Sequence, residues 1–184
     1  MKTVLLGMTM LVLAGTLAWF VLAPRGVQNR PDISLHAVDG RVLKLSEYRD
    51  RPLLVTFWAT TCRSCMEEMP QLVRLYRKLA PRGLGMIAIA MSYDPPDRVL
   101  AVRNERRLPY PVALDIHADA AHAFGDVELT PTTFLFAPDG RLVYSKTGVL
   151  DMDRLQQDIL GLLGQAENGS HCGSGRTGTA TCSG

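Results

Sequence analysis

Trp58-Ala59-Thr60-Thr61-Cys62-Arg63-Ser64-Cys65-Met66-Glu67-Glu68-Met69-Pro70 joins two periodicities. Upstream, Pro52 to Trp58 is a continuous apolar run with β-branched and aromatic residues, the pattern of a central strand buried on both faces. Downstream, Met66, Met69, Leu72, Val73, Leu75, Tyr76 and Leu79 recur at helical spacing. Cys62 and Cys65 therefore stand at a strand-to-helix junction. Their spacing lets the sulfurs bond within one helical turn. The helix N-terminus places partial positive charge beside Cys62 and favours its thiolate, the nucleophile of disulfide exchange. Cys65, one turn deeper, is expected to be more buried and to react second. A zinc knuckle or a pair of inert buried thiols is the competing reading. Zinc normally takes a second cysteine pair or two suitably spaced histidines. His117 and His122 are five apart and are expected as ordinary histidines around a surface helix.

On the N-terminal side, Ile33 to Val38 and Val42 to Leu45 are joined by Asp39-Gly40, a hairpin signal. On the C-terminal side, Pro70 is expected to kink the first helix, and Pro81-Arg82-Gly83 to end it. Met86 to Met91 reads as a second buried strand. Asp94-Pro95-Pro96-Asp97 opens another helix, with Asp97 as its cap. Pro111 to Leu114 is a short strand, and Ala118 to Phe124 a short helix stopped by Gly125. Thr132 to Phe136 and Leu142 to Ser145 form a hairpin around Pro138-Asp139-Gly140, and Asp151 to Leu163 is a final amphipathic helix. Strands alternating with helices predict an α/β fold with a mixed central sheet flanked by helices.

The chain has 184 residues, 47% of them hydrophobic, and a net charge of +2. That is one globular domain with appendages, and it offers no basic patch for nucleic acid. Val4 to Ala23 is an apolar run of bilayer-spanning length. A signal peptide is the alternative, but Thr16 and Ala18 make a poor cleavage site and Pro24 follows Ala23. The expected organisation is a transmembrane signal-anchor over 1–25, a polar linker over 26–30, a domain over 31–164, and a mobile Gly/Ser/Thr-rich tail over 165–184. That tail carries Cys172 and Cys182. A disulfide closing their loop, a relay with Cys62–Cys65, metal capture with His171, and free thiols are all open for the tail pair.

The stretch Leu54 to Cys65 resembles the active-site strand and helix of thioredoxin-fold proteins. The match extends through Glu68-Met69-Pro70, the preceding hairpin, Leu129-Thr130-Pro131-Thr132-Thr133-Phe134-Leu135 and Asp139-Gly140-Arg141. With these, the chain resembles the TlpA/ResA-like periplasmic thiol–disulfide oxidoreductases over about residues 31 to 164. The resemblance implies a thioredoxin fold with an added N-terminal β-hairpin. It implies that Pro131 is cis and lies against the cysteines, where the bland alternative is an ordinary loop proline. The Thr130 carbonyl would then receive a substrate strand, with Trp58 beside it. Glu68 would exchange a proton with Cys65; its plain alternative is a solvent-exposed helix glutamate. Glu67 is expected on the surface.

Three departures from the family pattern stand out. Thr61 replaces the tryptophan before the first cysteine. Arg63-Ser64 lacks the common proline and is expected to tune the redox potential. Thr56 stands where thioredoxin carries a buried acid.

The implied activity is reduction of disulfides in partner proteins outside the cytoplasm, as in cytochrome c maturation or copper-site assembly. A membrane electron donor would restore the dithiol, and no cofactor or resident metal is called for. Two alternatives use the same pair: a disulfide-forming oxidant, and a copper chaperone adding Met66 or Met69 as soft ligands.

Overall fold

The computed structural model describes residues 8, 10, 12–16 and 27–171, with backbone alone for 166–171. Most of the expected anchor, and both Cys172 and Cys182, lie outside these residues. Among the described residues no helix is long and apolar enough to cross a membrane.

Seven strands form one mixed sheet in the order β2-β1-β5-β4-β3-β6-β7. They are β1 (Ser34–Ala37), β2 (Val42–Lys44), β3 (Leu53–Trp58), β4 (Gly85–Ala90), β5 (Val112–Leu114), β6 (Thr132–Phe136) and β7 (Leu142–Thr147). Within residues 27–171 the α-helices are α1 (Arg63–Leu79), α2 (Pro96–Glu105), α3 (Asp119–Ala123) and α4 (Met152–His171). β3, β4 and β5 run parallel, whereas β6 and β7 are antiparallel. The N-terminal hairpin β1–β2 joins the sheet through β5.

β3 is buried throughout, and apolar but for Thr56, because both its faces are covered. Leu54 and Trp58 pack against α1 and α4 with Leu72, Leu79, Leu155 and Ile159. Leu53, Val55 and Phe57 point into the other layer, with Phe124, Phe134 and Phe136. The ring centroids of Phe57 and Phe124 are 5.2 Å apart. Phe57 has no exposed surface, and burying such a side chain contributes about 1.5–3 kcal/mol.

Strand register brings the loops of the site together. β3 pairs Trp58 with Ala90 of β4, so the segments following each strand, 59–62 and 91–94, are neighbours. Phe57 pairs with Thr132 of β6, which sets Pro131 beside the end of β3. Thr132 pairs with Thr147 of β7, which brings in Gly148 to Leu150.

The structure corrects several expectations. Within the expected linker 26–30, residues 28–30 are docked: Asn29 bridges Arg141, Arg30 donates its amide to the Gly140 carbonyl at 2.7 Å, and Leu142 donates to Gln28 at 2.9 Å. Polar composition hid this because strand pairing uses the backbone alone. Asp97 lies in the first turn of α2 and does not cap it; the cap position is Pro95, with no side-chain bond. Pro96 at the start carries no N–H and so lowers the need for a cap. α4 continues to His171, past the expected boundary at Gly164, because Gln165, Ala166 and Glu167 are good helix formers extending an existing helix.

Candidate active site

Cys62 is the N-cap of α1, with extended backbone (φ −82°, ψ 103°). Its amide closes a tight turn by donating to the Ala59 carbonyl at 3.1 Å. Its Sγ accepts the Cys65 amide at 3.2 Å, so one orphan helix donor already points at sulfur. Cys62 and Cys65 are joined as a disulfide, with Cα atoms 5.3 Å apart. Cys62 is half-buried, and Cys65 is only 4% exposed. The asymmetry is the one expected of an attacking and a resolving thiol.

The intervening residues behave differently. The Ser64 hydroxyl lies 3.6 Å from Cys62 Sγ. Arg63 turns outward: its guanidinium donates to Glu67 at 2.8 Å and its side chain is 92% exposed. Its charge is thus shared with a carboxylate. Glu67 is on the surface, as expected.

Beneath Cys65 lies a small cavity walled by Thr56, Trp58, Cys65, Glu68, Met69 and Pro131. Glu68 is 4% exposed, so the plain reading of it as a solvated helix glutamate is wrong. It accepts the Leu150 amide. Burial pushes its carboxyl pKa above the ordinary value of 4.5, and the Leu150 amide opposes that shift in part. Thr56 is buried and hydrogen-bonded to the Thr133 hydroxyl at 3.0 Å, leaving Glu68 the acid on this cavity wall. Trp58 is 2% exposed and forms cavity wall; it does not present a face to a substrate. Its indole N–H has no partner among the described residues.

The Thr130–Pro131 peptide bond is cis. Gly148 donates its amide to the Pro131 carbonyl at 2.8 Å, and Thr132 Oγ1 donates to the Leu129 carbonyl at 2.7 Å. Thr130 is half-buried and Leu129 is 67% exposed, so this loop forms an open rim above the cavity.

Two contributors escape sequence reading. Leu150 supplies the amide to Glu68 from 82 residues away. Asp94, read as a helix start, instead turns its carboxylate to Thr60. A signal for Asp94 exists in principle, since residues just past the ends of adjacent parallel strands share one edge of the sheet. His117 and His122 are exposed, and His122 pairs with Asp126 at 2.8 Å. No group of three or more His, Cys, Asp or Glu poised to hold a metal occurs among the described residues.

The Redoxin family model matches residues 26–159. The thiol-disulfide oxidoreductase ResA of Bacillus thuringiensis subsp. konkukian is 28% identical over 133 residues, covering 71% of this chain and 74% of the relative. The ResA of Bacillus subtilis is 27% identical over 142 residues, covering 76% of each. Among solved structures, a thioredoxin-family thiol:disulfide interchange protein from Chlorobium tepidum superposes with a TM-score of 0.68 at 23% identity. That match covers 76% of this chain and 98% of the other. With the family model spanning the whole sheet and the junction cysteines joined, the chain belongs to the Redoxin family, as a ResA/TlpA-like thiol–disulfide oxidoreductase of the thioredoxin superfamily.

Proposed function

We propose that the protein reduces disulfides in partner proteins on the periplasmic side of a bacterial inner membrane, tethered there by residues 1–25. The observation that carries this reading is the setting of the pair: a half-buried Cys62 capping α1, and a buried Cys65 above the cavity that holds Glu68.

In the reduced protein the Cys62 thiolate attacks one sulfur of the partner disulfide. A Cys62–partner bond forms, the partner S–S bond breaks, and the released partner sulfur takes a proton. Glu68 then accepts the proton of Cys65. The Cys65 thiolate attacks Cys62 Sγ, the Cys62–partner bond breaks, and the second partner sulfur leaves as a thiolate that takes up a proton from Glu68 or water. Two electrons pass to the partner, and the Cys62–Cys65 bond remains. A dithiol donor in the membrane restores the pair by the same exchange in reverse.

Thr130 and Pro131 receive the partner backbone by strand addition. In support, the Thr130 carbonyl accepts no backbone bond among the described residues, whereas that of Pro131 is taken by Gly148. Arg63 and Ser64 tune the potential from the turn between the cysteines. The resemblance to ResA/TlpA-like proteins favours cytochrome c maturation or copper-site assembly as the setting.

The test has two parts. The reduction potential of Cys62–Cys65, equilibrated in thiol buffers, should lie near that of thioredoxin, about −270 mV. A value near about −120 mV makes the protein an oxidant and ends the reductant reading. In cells, Cys65→Ser should accumulate thiol-sensitive mixed disulfides with partner proteins, because Cys62 then attacks and nothing resolves the adduct. Absence of such adducts defeats the exchange model.

A further inference from the structure

Asp94 is 5% exposed, in the segment between β4 and α2. A buried carboxylate is costly unless its oxygens are bonded, and both of these are bonded to one residue. Oδ2 accepts the Thr60 amide at 2.6 Å, and Oδ1 accepts the Thr60 hydroxyl at 2.5 Å. Hydrogen bonds to a carboxylate are about twice as strong as neutral ones. Helix α2 makes no use of them, because its cap position is Pro95 and carries no side-chain bond.

Thr60 is the second residue of the turn that ends at Cys62. That turn is closed at one end by the Cys62 amide on Ala59. Just before it, Met91 donates its amide to the Trp58 carbonyl at 3.0 Å, and the Asp94 amide returns to Met91 at 3.0 Å. The segment 91–94 is therefore a brace, fixed to the end of β3 at Trp58 and gripping the turn at Thr60.

We propose that Asp94 is a positioning residue of the redox centre: it clasps Thr60 and so fixes the turn that presents Cys62 Sγ for attack. Disulfide exchange is a displacement with three sulfurs in line, and its rate is sensitive to small errors in placing the attacking atom. Asp94 touches neither sulfur nor partner. It acts through Thr60.

This rests on the thiol-exchange reading, so the test uses two rates on the full-length reduced protein. One is kcat and KM for reduction of a protein disulfide; the other is the rate of Cys62 alkylation by iodoacetamide across pH, which needs no partner. Asp94→Asn, which turns one acceptor into a donor facing Thr60, should lower kcat and the alkylation rate about tenfold with KM little changed. Thr60→Val, which keeps the amide and loses the hydroxyl, should fall in between, and Thr60→Ser should restore what Thr60→Val loses. Circular dichroism establishes the folded fraction of each variant. The clasp is purely structural, and the proposal overturned, if folded Asp94→Asn alkylates and turns over at the wild-type rate. It is equally overturned if Thr60→Ser is as slow as Thr60→Val, an outcome that decides the matter even where Asp94→Asn does not fold. If the unaltered protein alkylates at Cys62 but reduces no protein disulfide, the function reading fails while the alkylation series still decides the role of Asp94.

Discussion

Glu68 and Asp94 are equally buried and oppositely housed. Glu68 sits on α1, one turn past Cys65, in a cavity walled by Trp58, Met69 and Pro131, with the Leu150 amide as its hydrogen-bond donor. Asp94 has both oxygens engaged by Thr60. Apolar walls disfavour the charged form of a carboxylate, so burial holds the Glu68 carboxyl above its ordinary pKa. A carboxylate gripping a backbone amide and a hydroxyl is instead an anchor. On the proposed reading, one end of the sheet uses two acids for two purposes, set by the partners each finds.

The largest difference is expected in chemistry. Glu68→Gln keeps the shape and an acceptor for Leu150 but carries no exchangeable acid. Reductive kcat at pH 7 should fall about 100-fold, the low end of what a positioned acid or base contributes. The wild-type rate should also rise with pH through a limb whose midpoint lies above 4.5, and Glu68→Gln should lack that limb. Asp94→Asn should lose less and keep the limb. A kcat–pH series that shows the limb surviving in Glu68→Gln breaks the comparison.

A smaller effect is expected in stability, and its sign is fixed. The Glu68 pKa in the folded protein is raised above the ordinary 4.5. The unfolded chain therefore ionises first as pH rises. Stability drawn from the neutral carboxyl is complete below about pH 4.5, and is lost as pH climbs through the folded-state value. Urea unfolding of the wild type and Glu68→Gln should show a gap in favour of the variant that widens from pH 4 to pH 7. A gap independent of pH means that Glu68 is not held by an apolar cavity.

The sequence made the redox pair legible because everything that defines it is local. β3 announces itself by seven consecutive buried-type residues from Pro52 to Trp58, and the cysteines by their spacing at its end. The sequence puts Glu68 on the right helix, but its burial is not readable there, since Leu150 reaches it from 82 residues away. Sequence alone assigns Asp94 to its nearest helix, whereas its partner Thr60 lies 34 residues upstream. Asp97 looks like a cap until the helix is seen to begin one residue earlier, at Pro96, whose missing N–H lowers that need. Composition also misled at Gln28 to Arg30, where polar side chains conceal a backbone that pairs with the β6–β7 hairpin. Asp97 apart, each of these misses involves a partner that only the closed sheet supplies.

The smallest expected effect concerns the neutral polar group in the same cavity wall. Thr56 and Thr133 exchange a buried hydroxyl–hydroxyl bond at 3.0 Å across β3 and β6. Thr56→Val keeps shape and volume but strands the Thr133 hydroxyl, which has no exposed surface. The cost of such an orphaned group is about 1–3 kcal/mol. Changing both, Thr56→Val with Thr133→Val, removes donor and acceptor together and should recover most of that loss, because an apolar pair of the same shape is close to neutral. A double-mutant cycle by urea unfolding measures the coupling directly. Reductive kcat should hardly move in any corner of the cycle, since Thr56 carries no proton that the exchange requires. A fall in kcat to the level of Glu68→Gln would place Thr56 in the proton path and remove Glu68 from its sole charge of it.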